Sequence, residues 1–190
     1  MAEEITEKTK LITSLVDGND HILKQAAVPF DFENPQRDPE ELFALMRDLM
    51  CAGKGVGLSA PQIGLPYRAF VIGNPADIES CIGVFNPIIL DTVGEETVEY
   101  EEGCLTFRGL FVKIKRPRAV RVRYTNARGN TDTIKFEGLT ARVFQHEFDH
   151  LEGIMYTSLA HPYHIEKAKK ELKLLHRRRG NAGLFGVAPV

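Results

Sequence analysis

A run of five extended segments, uninterrupted by any helix, is the feature that most constrains the fold of this chain. Each segment is rich in β-branched or apolar residues, and turn residues separate it from the next. The segments are residues 68–73, 81–90, 96–105, 112–126 and 131–138. Helical periodicity lies before and after the run, so helices and strands do not alternate as they do in βαβ units. The pattern predicts an α+β fold, with a hairpin through residues 127–130.

Helices are predicted at residues 38–52, 139–151 and 164–179. The first begins with Asp38 as a cap and Pro39 in the first turn, and Gly53 is expected to end it. We expect residues 1–179 to form a single domain, with an N-terminal helix and a basic C-terminal helix at about 164–179. Residues 180–190 are expected to be a flexible tail.

Composition excludes several classes of protein. The chain has 190 residues, 43% of them hydrophobic, and no run approaches the length of a membrane span. Its first ten residues are acidic rather than apolar, which argues against a secretory signal. Three cysteines are too few to suggest a disulfide framework, so we expect a reduced, cytoplasmic protein. The body is mildly acidic, which disfavours DNA as a partner.

The sequence QHEFDHLEG, residues 145–153, raises the possibility of a metal site. Two histidines four positions apart lie on one face of a helix, so His146 and His150 could bind one ion. Glu147 stands beside them and could act as a general base. The alternative is a chance pair of histidines on a buried helix, and a third ligand would decide between the two.

Several residues are candidates for that third ligand. One peptidase class would place a histidine where this chain has Tyr156, so that pattern fails by one residue. A second class would use a downstream glutamate, for which Glu166 and Glu171 are available. Cys104, directly after Gly103, would complete a sulfur and two-nitrogen set with one open position, which is typical of a catalytic site. Cys104 could equally be a small buried apolar residue.

The loop GVGLSAPQIG, residues 55–64, does not fit a dinucleotide site, because a helix precedes it and Pro61 follows. Its Gln62 amide could donate a hydrogen bond to an oxyanion. Gln62 could instead cap the backbone of a turn.

Three segments together resemble peptide deformylases: GVGLSAPQ at 55–62, EGCL at 102–105 and HEFDH at 146–150. The resemblance implies antiparallel sheets packed around a central metal-binding helix at 139–152. It implies that Cys104, His146 and His150 hold the metal, with Glu147 as the base and with Gln62 and the Leu105 amide as oxyanion donors. The substrate-binding residues that it implies are Val56, Gly57, Leu58, Glu102, Gly103, Leu139 and Val143.

The implied activity is removal of the formyl group from the formyl-methionyl start of nascent peptides, releasing formate. The resemblance favours Fe²⁺, with Zn²⁺, Ni²⁺ or Co²⁺ as substitutes. It also suggests a Glu102–Arg116 ion pair beside the site, and docking of the basic C-terminal helix on the ribosome. Thr106 stands where the family usually has serine, and Arg108 stands where it usually has proline. A peptidase and a non-catalytic metal-binding relative remain the alternatives.

Overall fold

The computed structural model describes residues 14–184, and side chains as far as residue 177. Residues 1–10, from which we argued against a secretory signal, lie outside this range. The α-helices are α1 (Pro39–Ala52), α2 (Gly138–Leu151) and α3 (Pro162–Leu184). The strands are β1 (Gly57–Ser59), β2 (Ala69–Asn74), β3 (Asp77–Thr92), β4 (Thr97–Glu102), β5 (Val112–Pro117), β6 (Ala119–Thr125) and β7 (Thr131–Glu137). None of the helices in this range is long and apolar enough to cross a membrane.

The strands form two antiparallel sheets, which confirms the predicted α+β class. One sheet has the order β1-β2-β3-β6-β7, and the other contains β4 and β5. The predicted hairpin joins β6 to β7, with Thr125 opposite Thr131. The segment predicted to be extended over 112–126 consists of two strands, β5 and β6, because the chain changes sheets at Arg118. Residues before this point pair with β4, whereas residues after it pair with β3 and β7.

The five-stranded sheet lies between two helices, and strand β2 shows why. Its side chains alternate between the two faces of the sheet. Phe70 and Ile72 pack in the core cluster that contains Phe144 of α2, whereas Val71 packs in the cluster that contains Met46 of α1. Both faces of the strand are therefore buried, and α2 is held between this sheet and the β4–β5 sheet.

Helix α1 begins and ends where predicted, but the left-handed residue after it is Lys54 rather than Gly53. The Asp38 carboxylate accepts hydrogen bonds from the backbone amides of Glu40 and Glu41, at 2.9 and 3.0 Å. At the other end Gly53 keeps a right-handed conformation, and Lys54 takes the left-handed one with φ 56°. The Gly55 amide then donates to a carbonyl five residues back. This is a Schellman ending, with lysine in the position that glycine usually occupies.

Helix α3 packs against β5 through the apolar side chains of Ile165, Ala168 and Leu172. Leu175 lies at the same helical spacing but does not join this contact, and it is 47% exposed. The helix continues to Leu184, so residues 180–184 are helical rather than part of a tail. Residues 185–190 lie outside the described residues.

Candidate metal centre and active site

A cysteine and two histidines from distant parts of the chain meet in the interior. One candidate ligand atom each from Cys104, His146 and His150 lies within 4.8 Å of the other two, and all three residues are buried. The Cys104 sulfur is 3.4 Å from Nε2 of His150. Cys104 follows strand β4, and both histidines project from one face of α2. These three side chains are the set that the resemblance to deformylases implied.

Glu102 orients one of these histidines. Its Oε2 lies 3.0 Å from Nδ1 of His146, which leaves Nε2 free to coordinate an ion. Arg116 donates to both carboxylate oxygens, at 2.6 and 2.9 Å, which confirms the expected ion pair. Arg142 donates to Oε1 at 2.6 Å. Burial opposes ionisation, but the hydrogen bonds from His146 and Arg116 lower the pKa of Glu102 to about 2.

The donor set fits a divalent ion. Burial lowers the pKa of His150 to about 3, so its imidazole is neutral, as coordination requires. Burial also opposes protonation of His146, but contacts with Cys104 and Glu102 raise its pKa to about 10. A cation at this position would displace that proton, because imidazole coordinates metals only in its neutral form. Sulfur and two nitrogens suit iron, zinc, nickel and cobalt.

Glu147 lies next to this set but is not part of it. The residue is 4% exposed, and its Oε2 has no hydrogen-bond partner among the described residues. Burial raises the pKa of this carboxyl group to about 7. A carboxyl group that titrates near neutrality can both accept and return a proton, which is what a general base requires.

Gly57 leaves the space that this carboxyl group occupies. A Cβ at position 57 would lie 2.9 Å from Cδ of Glu147 and 2.8 Å from Cγ1 of Val143. Only glycine therefore allows β1 to pass so close to α2.

Gln62 caps a backbone turn, which is one of the two roles that the sequence allowed, and it also directs its amide donor into the site. Its Oε1 accepts from the backbone amide of Ser59 at 2.8 Å, so it caps a short 3-10 helix at Ala60–Ile63. This bond fixes the amide so that Nε2 faces the site, 3.3 Å from the Cys104 sulfur and 3.1 Å from Oγ1 of Thr106. The side chain is 1% exposed, and its donor is oriented before any ligand arrives.

A cavity of about 390 Å³ opens beside the site. Of the residues implied for substrate binding, Val56, Gly57, Glu102, Gly103, Leu139 and Val143 line it, as do Cys104, Leu105, His146 and Glu147. Leu58 does not, because its side chain is fully buried in the core beside α1. Glu102 lines the cavity, but both of its carboxylate oxygens are bonded to protein side chains.

Two contributors escaped the sequence analysis. Arg142 binds Glu102 and two backbone carbonyls of the β4–β5 sheet, those of Val98 and Ile114. Its position one helical turn before His146, on the same face of α2, was the signal that could have revealed it. Ser59, which fixes Gln62, gave no such signal.

The other candidate ligands are placed elsewhere. The Tyr156 hydroxyl donates to the carbonyl of Leu110 at 2.9 Å. Glu166 and Glu171 lie on the exposed side of α3, each within 4.0 Å of a lysine ammonium group. Among these candidates for a third ligand, Cys104 is the one that lies beside the two histidines.

An α+β fold and a buried Cys–His–His cluster with a glutamate beside it form the arrangement expected of a metallohydrolase. Comparisons with known proteins identify the family. Residues 12–165 match the family model described as "Polypeptide deformylase". A curated peptide deformylase of Thermotoga neapolitana is 45% identical over 127 residues, which cover 66% of this chain and 69% of that protein. A peptide deformylase of Cytophaga hutchinsonii is 36% identical, covering 85% of this chain and 86% of that protein.

A crystal structure shows the same fold. The peptide deformylase from Legionella pneumophila superposes with a TM-score of 0.77 at 31% identity, covering 89% of this chain and 98% of the other. The chain belongs to the peptide deformylase family, whose members are metal-dependent hydrolases that remove the N-formyl group from nascent peptides.

Proposed function

We propose that this chain deformylates formyl-methionyl peptides with Glu147 as the general base and with Cys104, His146 and His150 as the metal ligands. The observation that carries this assignment is the buried Glu147 carboxyl group on the cavity wall beside the three ligands. A divalent ion held there would supply a Lewis acid and lower the pKa of a coordinated water to about 7.

The side chains of the site account for the remaining steps. Glu147 accepts the proton of the attacking water, and the formyl carbon becomes tetrahedral. Nε2 of Gln62 and the backbone N–H of Leu105 donate hydrogen bonds to the developing oxyanion. Glu147 then returns the proton to the leaving amine, and formate and a free methionyl N-terminus are released.

The cavity beside Glu147 provides a site for the methionine side chain. Val56, Leu139 and Val143 give it apolar walls, and Gly57 lines it without adding a side chain. An unbranched thioether adapts well to such a space. The contribution of Leu58 is indirect, through the core that supports β1.

Replacement of Glu147 by glutamine tests the mechanism. Glu147→Gln should retain metal, because Glu147 is not a ligand, whereas kcat should fall by about 10²- to 10⁴-fold. Gln62→Leu should lower kcat by about 10²- to 10³-fold, also with metal retained. Formate release and metal content measured on the same samples separate these outcomes. Near-normal turnover by Glu147→Gln would eliminate the proposed base.

We propose Fe²⁺ as the native ion, since the donor set accepts it and the resemblance to deformylases favours it. Zn²⁺, Ni²⁺ and Co²⁺ should substitute. Metal analysis after anaerobic purification tests this choice. If iron is native, activity should decay in air faster than in a nickel-substituted sample.

We propose a cytoplasmic enzyme that meets its substrates as they leave the ribosome. The exposed basic side chains of α3, among them Lys169, Lys173 and Arg177, support an attraction to phosphate-rich RNA. Truncation after His164 should weaken ribosome binding. Equal co-sedimentation of the full-length and truncated chains with ribosomes at low salt would refute docking through α3.

A further inference from the structure

Two cations at the mouth of the active-site cavity have no carboxylate partner among the described residues. Lys54 and Arg108 both line this cavity and both are exposed. Neither takes part in any of the ion pairs found between residues 14 and 177. Their positive charge is therefore available to a ligand that enters the cavity.

Lys54 occupies a backbone position that ordinarily excludes it. Lys54 is the left-handed residue of the Schellman ending of α1. A side chain at this position lowers the stability of the fold by roughly 1 kcal/mol relative to glycine. Hydrogen bonds fix the position, because the Lys54 amide donates to the Cys51 carbonyl and the Gly55 amide to the Met50 carbonyl, both at 2.9 Å. Strain retained at a cavity mouth is a recognised mark of function.

Arg108 also stands at a turn position that usually holds another residue. The Leu110 amide donates to the Phe107 carbonyl at 3.1 Å, and Gly109 has φ 81°. These features define a turn of type II, in which proline is common at the position that Arg108 takes. Phe107 packs beside Tyr156, and Leu110 is buried. Because Phe107 and Leu110 are anchored, the turn fixes the point from which the Arg108 side chain extends.

The two cations belong to adjoining walls of the cavity. The Leu105 side chain packs directly on the loop that carries Lys54, since a Cβ on Gly55 would lie 2.6 Å from Leu105 Cδ1. Arg108 follows Leu105 by three residues. The lining has one exposed acidic residue, Glu101, against the two exposed cations Lys54 and Arg108, so the exposed charge of the cavity lining is net positive.

We infer that Lys54 and Arg108 select peptides with an acidic side chain directly after the formyl-methionine. This inference rests on the proposed function, because the reacting formyl group and the methionine fix which part of the peptide reaches the mouth. With the methionine side chain deep in the cavity, the peptide residues that follow the methionine leave the cavity past Lys54 and Arg108. An aspartate or glutamate there gains an ion pair, and a lysine or arginine meets repulsion.

The test compares peptides that differ in one side chain. Three formyl-methionyl peptides carry glutamate, glutamine or lysine in second place and are amidated at the C-terminus, so that no terminal carboxylate competes. At low salt kcat/KM should be about two- to tenfold higher for glutamate than for glutamine, as expected for one or two exposed ion pairs. The lysine peptide should be slower than the glutamine peptide. Added salt should bring the three rates together.

Charge reversal provides the decisive comparison. Arg108→Glu should invert the order, so that the lysine peptide becomes the better substrate, and Lys54→Gly should reduce the glutamate preference. Arg123→Glu is the matched control, because Arg123 is exposed on β6 and does not line the cavity; it should leave the order unchanged. Ratios between peptides are used because partial unfolding lowers all three rates equally.

The outcomes separate this inference from the proposed function. Release of formate from the glutamine peptide establishes deformylation. Suppose that the glutamine peptide is hydrolysed but kcat/KM for the glutamate peptide is about the same, or that Arg108→Glu leaves the ratio of these two values unchanged. In either case the inferred selection by charge is wrong. If none of the peptides is hydrolysed by the metal-loaded enzyme, the proposed function fails first.

Discussion

Gly57→Ala should inactivate the enzyme by displacing its base. The added methyl group would lie 2.8 Å from Cγ1 of Val143 and 2.9 Å from Cδ of Glu147, whereas carbon atoms in contact prefer about 3.5 to 4.0 Å. One or both side chains must therefore move by roughly 0.6 Å or more. Misplacement of a catalytic group by about 1 Å can cost 10²-fold in rate, so we expect kcat to fall by about that factor.

Stability should respond less than turnover. Overpacking a well-filled interior typically costs about 1 to 3 kcal/mol, which leaves a folded protein at room temperature. Adding Val143→Ala removes one of the two clashes and should restore part of this stability, but the clash with Glu147 remains. The double variant should therefore regain thermal stability without regaining kcat.

Formate release, thermal denaturation and metal content on the single and double variants test this reasoning. Metal content should be unchanged, since the three ligands are not displaced directly. A kcat for Gly57→Ala within threefold of the parent would refute the argument that glycine is needed for the position of Glu147. So would a full recovery of kcat in the double variant.

Four further predictions concern the surroundings of the site. Cys104→Ala should lose metal, as measured by elemental analysis, whereas Cys81→Ala should retain it; full occupancy in the first variant would remove Cys104 from the ligand set. Thr106→Val should leave Nε2 of Gln62 with one acceptor fewer and shift kcat more than KM; an effect confined to KM would indicate a role in peptide binding instead. Lys54→Gly should raise the free energy of unfolding by roughly 1 kcal/mol, whereas Lys54→Ala keeps the left-handed strain and should not; equal stability of the two would show that the strain is absent. The pKa of Glu102 falls from 4.5 to about 2 on folding, so its charge stabilises the protein above pH 4.5 and loses this effect as the pH falls towards 2. Metal-free Glu102→Gln should therefore be about 3 kcal/mol less stable than the parent at neutral pH and equal to it near pH 2. A loss of stability that does not depend on pH would contradict this prediction.

The sequence predicted the elements that local patterns determine. The cap at Asp38 and the spacing of His146 and His150 depend on neighbours along one helix, and both the α1 start and the shared helix face were correct. The change of sheet at Arg118 could not be predicted from local alternation, because an extended segment reads the same whichever strand pairs with it.

The charged contacts around the metal ligands were harder to foresee. Glu102 was assigned to substrate binding by resemblance, yet it contacts two arginines and His146. Its partners come from β5 and α2, so only the packed fold brings them together. Leu58 was assigned to the pocket by the same resemblance, but its side chain is fully buried in the core beside α1.

The proposed metal ligands come from two parts of the chain that are far apart in sequence. Cys104 and His150 are 46 positions apart, and the intervening residues include the whole of β5, β6 and β7. An ion bound between them acts as a removable cross-link, which reduces the entropy of the unfolded chain as a long closed loop does. Chelation should therefore loosen the β4–β5 sheet before the five-stranded one, and faster amide hydrogen exchange across residues 97–117 would record it.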